Sequence, residues 1–293
     1  MPRLIVNADD FGFSPGVNEG VRLAHEAGAL RSATLMAAGE AFDEAVDLAR
    51  SRPGLGVGCH LALVGMPALS PAGSIPTLAG PDGALRPTLA SFVGPWVRGR
   101  IRPDEVRREL AAQIGKVRAA GIRPTHVDGH KHVLALPGVL EIVLGLCREH
   151  GIPAVRAPFD ADPAAPGLAG GGNSGAWWKQ WLSGRALLLW RGAWQRRRER
   201  AGVAAPARFH GVAFTGFWTA GYLERVAAAL PDGGVTELMA HPAVLDDRLR
   251  RGPTRLKESR ERELRLLVDV LPGLLRAHGI ESCNFGIFQQ KDH

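Results

Sequence analysis

Two adjacent carboxylates, Asp9 and Asp10, follow the branched apolar run Leu4-Ile5-Val6 and precede Phe11-Gly12. Further along, histidines close other apolar runs: His60 after Gly58-Cys59, the alternating His126-x-Asp128-x-His130-x-His132, and His241 just before Pro242. An Asp with two His leaves open positions on a divalent metal ion. Such an ion polarises a carbonyl and acidifies its bound water, which is what hydrolysis needs. A second carboxylate can then take the proton from that water, and a histidine opposite can protonate the leaving group. Each piece alone has a plainer explanation. Asp-Asp before Phe-Gly is good turn chemistry, His60 fits a satisfied core histidine, His241 fits a simple strand end, and four polar groups on one strand face fit a solvent-facing edge. Their joint occurrence at matching strand ends shifts the weight to a metal site.

The elements that must position these residues read as alternating strands and helices. Leu4-Ile5-Val6 is a strand buried on both faces. Side chains alternate along a strand, so Asp9 and Asp10 are expected to point in different directions. Ser14 before Pro15 predicts an N-cap for a helix over 15–28. Ser32 to Met36 is a short strand, Ala41 to Arg50 a helix, and Gly56 to Leu61 a third strand. This rhythm predicts a parallel sheet with crossover helices, whose sites form at the carboxyl ends of its strands. From Gly65 to Pro95 the chain is rich in Pro, Gly and Ala and reads as an irregular excursion over the site. Pro103 to Ala120 is a helix, with Asp104 and Glu105 in its first turn and Gly121 closing it. Arg123 to Asp128 leads into a strand, and Gly129 predicts a bend that converges the histidines beyond it. Pro137 to His150 is a helix, Ile152 to Arg156 a strand, Tyr222 to Leu230 a helix, and Val235 to His241 a strand. A last helix over Arg255 to His278 breaks near Pro272, and Ile280 to Phe288 forms a final strand. Asp160 to Gly175 is low-complexity sequence, expected to be mobile.

Composition bounds the class. The chain has 293 residues, 45% of them hydrophobic and 22% charged, which suits a globular protein with a sizeable core. It has no apolar run long enough for a transmembrane helix and no signal peptide. Cys59, Cys147 and Cys283 are scattered, form no paired metal motif, and imply a reducing compartment, hence a cytoplasmic location. The net charge of +7 is local: between Ala176 and Arg208 stand eight basic side chains and the single acid Glu199, which accounts for all of it. That points to an anionic surface or ligand near this segment.

At Asn7-Ala8-Asp9-Asp10-Phe11-Gly12, Gly58-Cys59-His60-Leu61, Thr125-His126-Val127-Asp128-Gly129-His130-Lys131-His132 and Glu237-Leu238-Met239-Ala240-His241-Pro242, the chain resembles the YdjC-like family of carbohydrate deacetylases. Within it the chain looks most like the branch associated with hopanoid biosynthesis. The resemblance implies an α/β fold of (β/α) barrel-like form, one catalytic domain over 1–293 with an insertion at 160–208, and removal of acetyl groups from N-acetylated amino sugars with a divalent metal. Carried over by position, Asp10, His60 and His130 are metal ligands, Asp9 is the base and His241 the acid. Arg156, at another strand end, orients Asp9 or the oxyanion; a surface salt bridge is its alternative role. Gly129 departs from the Ser of many members. The donor set suits Zn2+ and, with water completing an oxygen-rich shell, also admits Mg2+.

Trp177 to Arg200 has no counterpart in that pattern. Its five tryptophans and its arginines suit a membrane interface or a lipid-bearing substrate such as a hopanoid glycolipid. A capping helix pair packed on the barrel, or a homodimer contact, is the alternative. One basic run without a recognisable fold signature does not imply nucleic acid. Two other functions fit the same chain: an amidohydrolase acting on another amide, such as a cyclic amide, and a non-catalytic membrane-surface glycolipid-binding protein. The second leaves the joint presence of a base and an acid without purpose.

Overall fold

Leu4, Ile5, Val6 and Ala8 are all buried, as a central parallel strand requires. The computed structural model describes residues 1–161, 175–252 and 254–289. Its frame is a parallel α/β sheet curled into a half-barrel, with helices around it. The strands are β1 (Arg3–Phe11), β2 (Ser32–Leu35), β3 (Gly56–Leu61), β4 (Val127–Gly129), β5 (Arg208–His210), β6 (Val235–Ala240) and β7 (Glu281–Cys283). Their order is β4-β3-β2-β1-β6-β5. β6 pairs with Arg3 to Ala8 along one side of β1, while β2 and β7 share the other side. Every pairing in the sheet is parallel, so all the strands end at one mouth.

The helices around β1 to β4 follow the caps and spacing of the sequence. α1 (Pro15–Glu26) starts at Ser14, whose hydroxyl accepts from Val17 N, with Pro15 in the first turn. Gly16 and Gly20 let α1 lie against the backbone of Pro242 to Val244: a Cβ at Gly16 would sit 2.1 Å from Val244 O, and one at Gly20 2.5 Å from Ala243 Cα. This contact backs the segment just after His241. α2 is Phe42–Arg50, α3 Leu89–Val97, α4 Pro103–Ala119 and α5 Val139–His150, closed by Gly151 in the left-handed conformation. α3 was not legible, because it starts inside the Pro-, Gly- and Ala-rich stretch and carries Pro95. α6 (Gly175–Leu188) and α7 (Arg191–Arg200) form the Trp/Arg segment. They are followed by α8 (Ala220–Ala228), α9 (Asp247–Arg251), α10 (Glu258–Arg265) and α11 (Leu271–Ala277). A π-helical turn over Leu266–Val270 joins α10 to α11. Pro272 has no N–H to give and crowds the carbonyl four residues back, so the helix widens just upstream of it.

Three expectations need correction. Ile152 to Arg156 is not a strand; Ala154 and Val155 make only single parallel bridges to Ala204 and Val127. The last strand is β7 alone, and Phe285–Phe288 is a 3-10 turn. The excursion after β3 is irregular as expected until α3 begins, but it is pinned. Along α4, the buried side chains Glu105, Glu109 and Gln113 take the backbone N–H groups of Thr77, Leu78, Leu69, Ser70 and Ala62. Most of the low-complexity stretch, over 162–174, lies outside the described residues.

Candidate active site

Asp9 and Asp10 sit on a β-bulge. The β1–β2 register runs Ala8 to Ala33 and then Phe11 to Leu35, so two residues of β1 face one of β2. Asp10 takes the left-handed conformation, φ 66°, which Asp tolerates better than most residues. The two carboxylates point apart as expected, but the bulge rather than simple alternation separates them: Asp10 turns to His60 and His130, and Asp9 to Arg156.

Asp10 Oδ1 lies 3.3 Å from His60 Nε2 and 3.3 Å from His130 Nδ1. These three donor atoms are within 4.8 Å of one another. Oδ1 is buried and accepts no hydrogen bond from any described residue. His60 is oriented from behind, its Nδ1 meeting Asp128 Oδ1 at 2.8 Å, so Nε2 is the nitrogen turned towards Asp10. A carboxylate behind a histidine ring is the arrangement that fixes a metal-binding tautomer. An orphaned buried oxygen facing two imidazole nitrogens therefore fits a divalent cation. Without one, burial disfavours charge on His60, yet Asp128 and Asp10 outweigh it and push its pKa up to about 10. Replacing Asp128 by Asn should weaken metal affinity about 10- to 100-fold. Metal titration of the stripped protein checks this, and a variant with unaltered affinity would remove Asp128 from the site.

Asp9 belongs to the second network. Arg156 clamps it in two hydrogen bonds of 2.6 Å, and also reaches Asp128 Oδ2 at 2.7 Å and Glu237 Oε1 at 2.7 Å. Arg156 is 3% exposed, which overturns its alternative role as a surface salt bridge. Asn7 Nδ2 donates to Asp9 Oδ1 at 3.0 Å. Burial opposes ionisation of Asp9, but the Arg156 guanidinium holds it well below the usual carboxylate range. His241 Nε2 stands 3.9 Å from Asp9 Oδ2. Burial pulls the His241 pKa down to about 4, so the ring is neutral at pH 7.

The His126 to His132 alternation does not persist. β4 ends at Gly129, and the bend falls at Lys131 and His132, both left-handed with φ of 53° and 56°. Gly129 itself is extended. The four side chains consequently part. His130 joins Asp10, Asp128 backs His60, His126 stacks on Phe285 with ring centres 3.6 Å apart, and His132 lies edge-on to Phe209. Sequence reasoning missed Arg260, on α10, whose Nη2 reaches Asp10 Oδ2 at 2.5 Å. It also missed Glu263, which accepts the backbone N–H of His241 at 2.6 Å. Nothing local marks either residue, since both lie in a run of charged helical residues.

The buried groups also set the acid behaviour of the metal-stripped protein. Burial keeps His126 and His132 neutral along with His241, the His132 pKa falling to about 3. Unfolding lets all three bind protons below about pH 6.5, so their contribution to stability falls with pH. Burial has the opposite sign for carboxyls: Glu237 and Glu263 rise to about 7 and Asp160 to about 6. They hold protons in the fold that the unfolded chain releases, so their contribution grows as pH falls to about 4.5. The two sets offset each other between about pH 4.5 and 6.5. Below about pH 4 the depressed Asp9 and Asp10 join His126 and His132, and each group adds a slope of about 1.4 kcal/mol per pH unit. Urea unfolding across pH should show a plateau and then a steep fall; a steady decline from neutrality would contradict this assignment.

The Trp/Arg segment is anchored by a few side chains. Trp177 and Trp194 are fully buried, Trp194 lies edge-on to Phe159, and Arg197 Nε binds Glu141 on α5 at 2.5 Å. Outward it leaves Trp178, Leu182 and Leu189, exposed by 38%, 59% and 91%, beside Lys179, Arg185 and Arg191. No helix among the described residues is long and apolar enough to cross a membrane.

Comparison with known proteins gives the fold and the family. Over its full length the fold is similar to a solved structure from Enterococcus faecalis V583, a protein named for cellobiose-phosphate cleavage, with a TM-score of 0.77, 24% identity and 99% of each chain covered. The sequence is 35% identical over 270 residues to a carbohydrate deacetylase of Brevibacillus brevis, covering 90% of each chain. It is 40% identical over 156 residues to a chitooligosaccharide deacetylase of Enterobacter sp. (strain 638), covering 51% of this chain and 57% of that protein. A mouse carbohydrate deacetylase is 31% identical over 258 residues, covering 82% of this chain and 77% of its own. The model of the YdjC-like proteins matches residues 3–270, and with that match the chain belongs to the YdjC-like family.

Proposed function

We propose that this protein is a metal-dependent deacetylase acting on an N-acetylated amino sugar. The observation that carries the reading is Asp10 Oδ1, buried without a hydrogen bond between two histidine nitrogens, next to a second carboxylate–histidine pair, Asp9 and His241. Asp10, His60 and His130 would hold the cation, Zn2+ or Mg2+. When bound, it supplies a Lewis acid that polarises the acetyl carbonyl and acidifies the attacking water. Asp9 stays ionised and oriented by Arg156, so it takes the proton of that water. The neutral His241, 3.9 Å from Asp9, receives this proton and delivers it to the sugar nitrogen as the C–N bond breaks. The products are acetate and the free amine. A binding protein has no need of such a relay, and the names of the relatives favour acetyl over other amides.

The substrate we favour is an N-acetylglucosaminyl unit carried on a lipid such as a hopanoid. We read 160–208 as an insertion in one catalytic domain, whose buried tryptophans cap the barrel. Its outer face offers Trp178, Leu182 and Leu189 among basic side chains to an anionic membrane surface. The enzyme then works in the cytoplasm at the inner face of the membrane. Acetate release from a soluble and a lipid-linked N-acetylglucosaminyl substrate, the latter in anionic vesicles, tests both levels. Release from either supports the deacetylase, and preference for the vesicle-borne one supports the lipid. Equal rates would remove the membrane part, and no acetate from fully metal-loaded protein would remove the whole reading.

A further inference from the structure

The two oxygens of Asp10 have unlike surroundings. Oδ2 receives Arg260 Nη2 at 2.5 Å, and both side chains are buried. Oδ1 receives no hydrogen bond and faces His60 and His130. Arg260 is itself held, its Nε donating to Leu256 O at 3.2 Å and its carbonyl accepting from Ala243 N at 3.5 Å. A carboxylate can bind a cation through one oxygen or both. We infer that Arg260 is a positioning residue that restricts Asp10 to one metal-bound oxygen, Oδ1.

A second Asp10 oxygen on the ion would occupy a position that water or the acetyl carbonyl needs. A cation beside a metal ligand weakens the attraction between ligand and metal, and a buried ion pair is poor evidence for stability, so the placement calls for another reason. Helix α10 supplies one. Three residues after Arg260, Glu263 accepts the backbone N–H groups of His241 at 2.6 Å and Gly216 at 3.0 Å. One short helix thus fixes an oxygen of the proposed ligand and the backbone of the proposed acid. Asp10 needs such a restraint, because its left-handed backbone follows a bulge rather than a regular ladder.

The inference rests on Asp10, His60 and His130 as metal ligands, and its test separates the two. The first arm is a crystal structure of the unaltered protein grown with zinc. The expected result is Asp10 Oδ1 at about 2.0–2.2 Å from the ion, with Oδ2 still on Arg260. An ion held by both oxygens would overturn the role of Arg260 and leave the ligand set intact. An ion bound elsewhere, or none, would overturn both. The second arm is the visible spectrum of the cobalt-substituted protein for Arg260→Gln, which is too short to reach Oδ2, and for Arg260→Lys, which keeps the cation. Gln should lower the intensity of the cobalt bands at least about 2-fold as coordination rises, and Lys should restore it. A folded, fully loaded Gln variant with an unchanged spectrum would overturn the inference. Should the Gln variant not fold, the crystal arm decides alone.

Discussion

Asp9→Asn abolishes measurable acetate release, a loss of about 10^2- to 10^4-fold, while the protein still binds its full complement of metal. The substitution changes almost no volume. It removes the charge that accepts a proton and leaves Asp10, His60 and His130 untouched. Arg156 holds both oxygens of Asp9, which keeps it ionised and fixed in place while lowering its basicity. Acetate assays and metal analysis on the same preparation check the result. Retention of more than a tenth of the activity would move the base to another group, with the neutral His241 first in line.

Arg156→Met has the largest expected effect on stability, a loss of about 3–5 kcal/mol. One guanidinium meets three carboxylates, Asp9, Asp128 and Glu237. Burial opposes the charge of Arg156, and those carboxylates more than outweigh it. Met fills a similar space without a donor and leaves the acids facing one another out of water. Urea denaturation of the metal-stripped protein measures the loss. A change below about 1 kcal/mol would mean that the carboxylates find protons or water as readily as they find Arg156.

The strand ends were the legible part of this chain. Buried parallel strands read as apolar runs, and a polar residue closing several such runs at one mouth is hard to produce by accident. The helices were legible where caps and glycines marked them, as at Ser14-Pro15 and Gly151. What stayed hidden depended on backbone detail or distant partners. The bulge at Asp9-Asp10 leaves no trace in residue type, because the same Asp-Asp pair would suit a turn. The left-handed Lys131 and His132 undo an alternation that looked regular on paper. Arg260 and Glu263 act across about 250 and 22 residues of chain respectively, and no local pattern separates them from the other charges of α10. The tryptophans were visible as a group, but which faced inward was set by the surfaces of α5 and of the loop after β5.

The Arg156 cluster also has a kinetic consequence. Its members come from β1, β4, β6 and the chain just after α5, so their separations in sequence run from 28 to 228 residues. A partly assembled barrel that lacked any one of these segments would bury charge without its counterpart. The transition state cannot gain much from the cluster, because every member is distant and the loops between them must close first. The cluster is therefore a late contact. It slows unfolding more than it speeds folding, and its main effect is on how long the finished fold lasts.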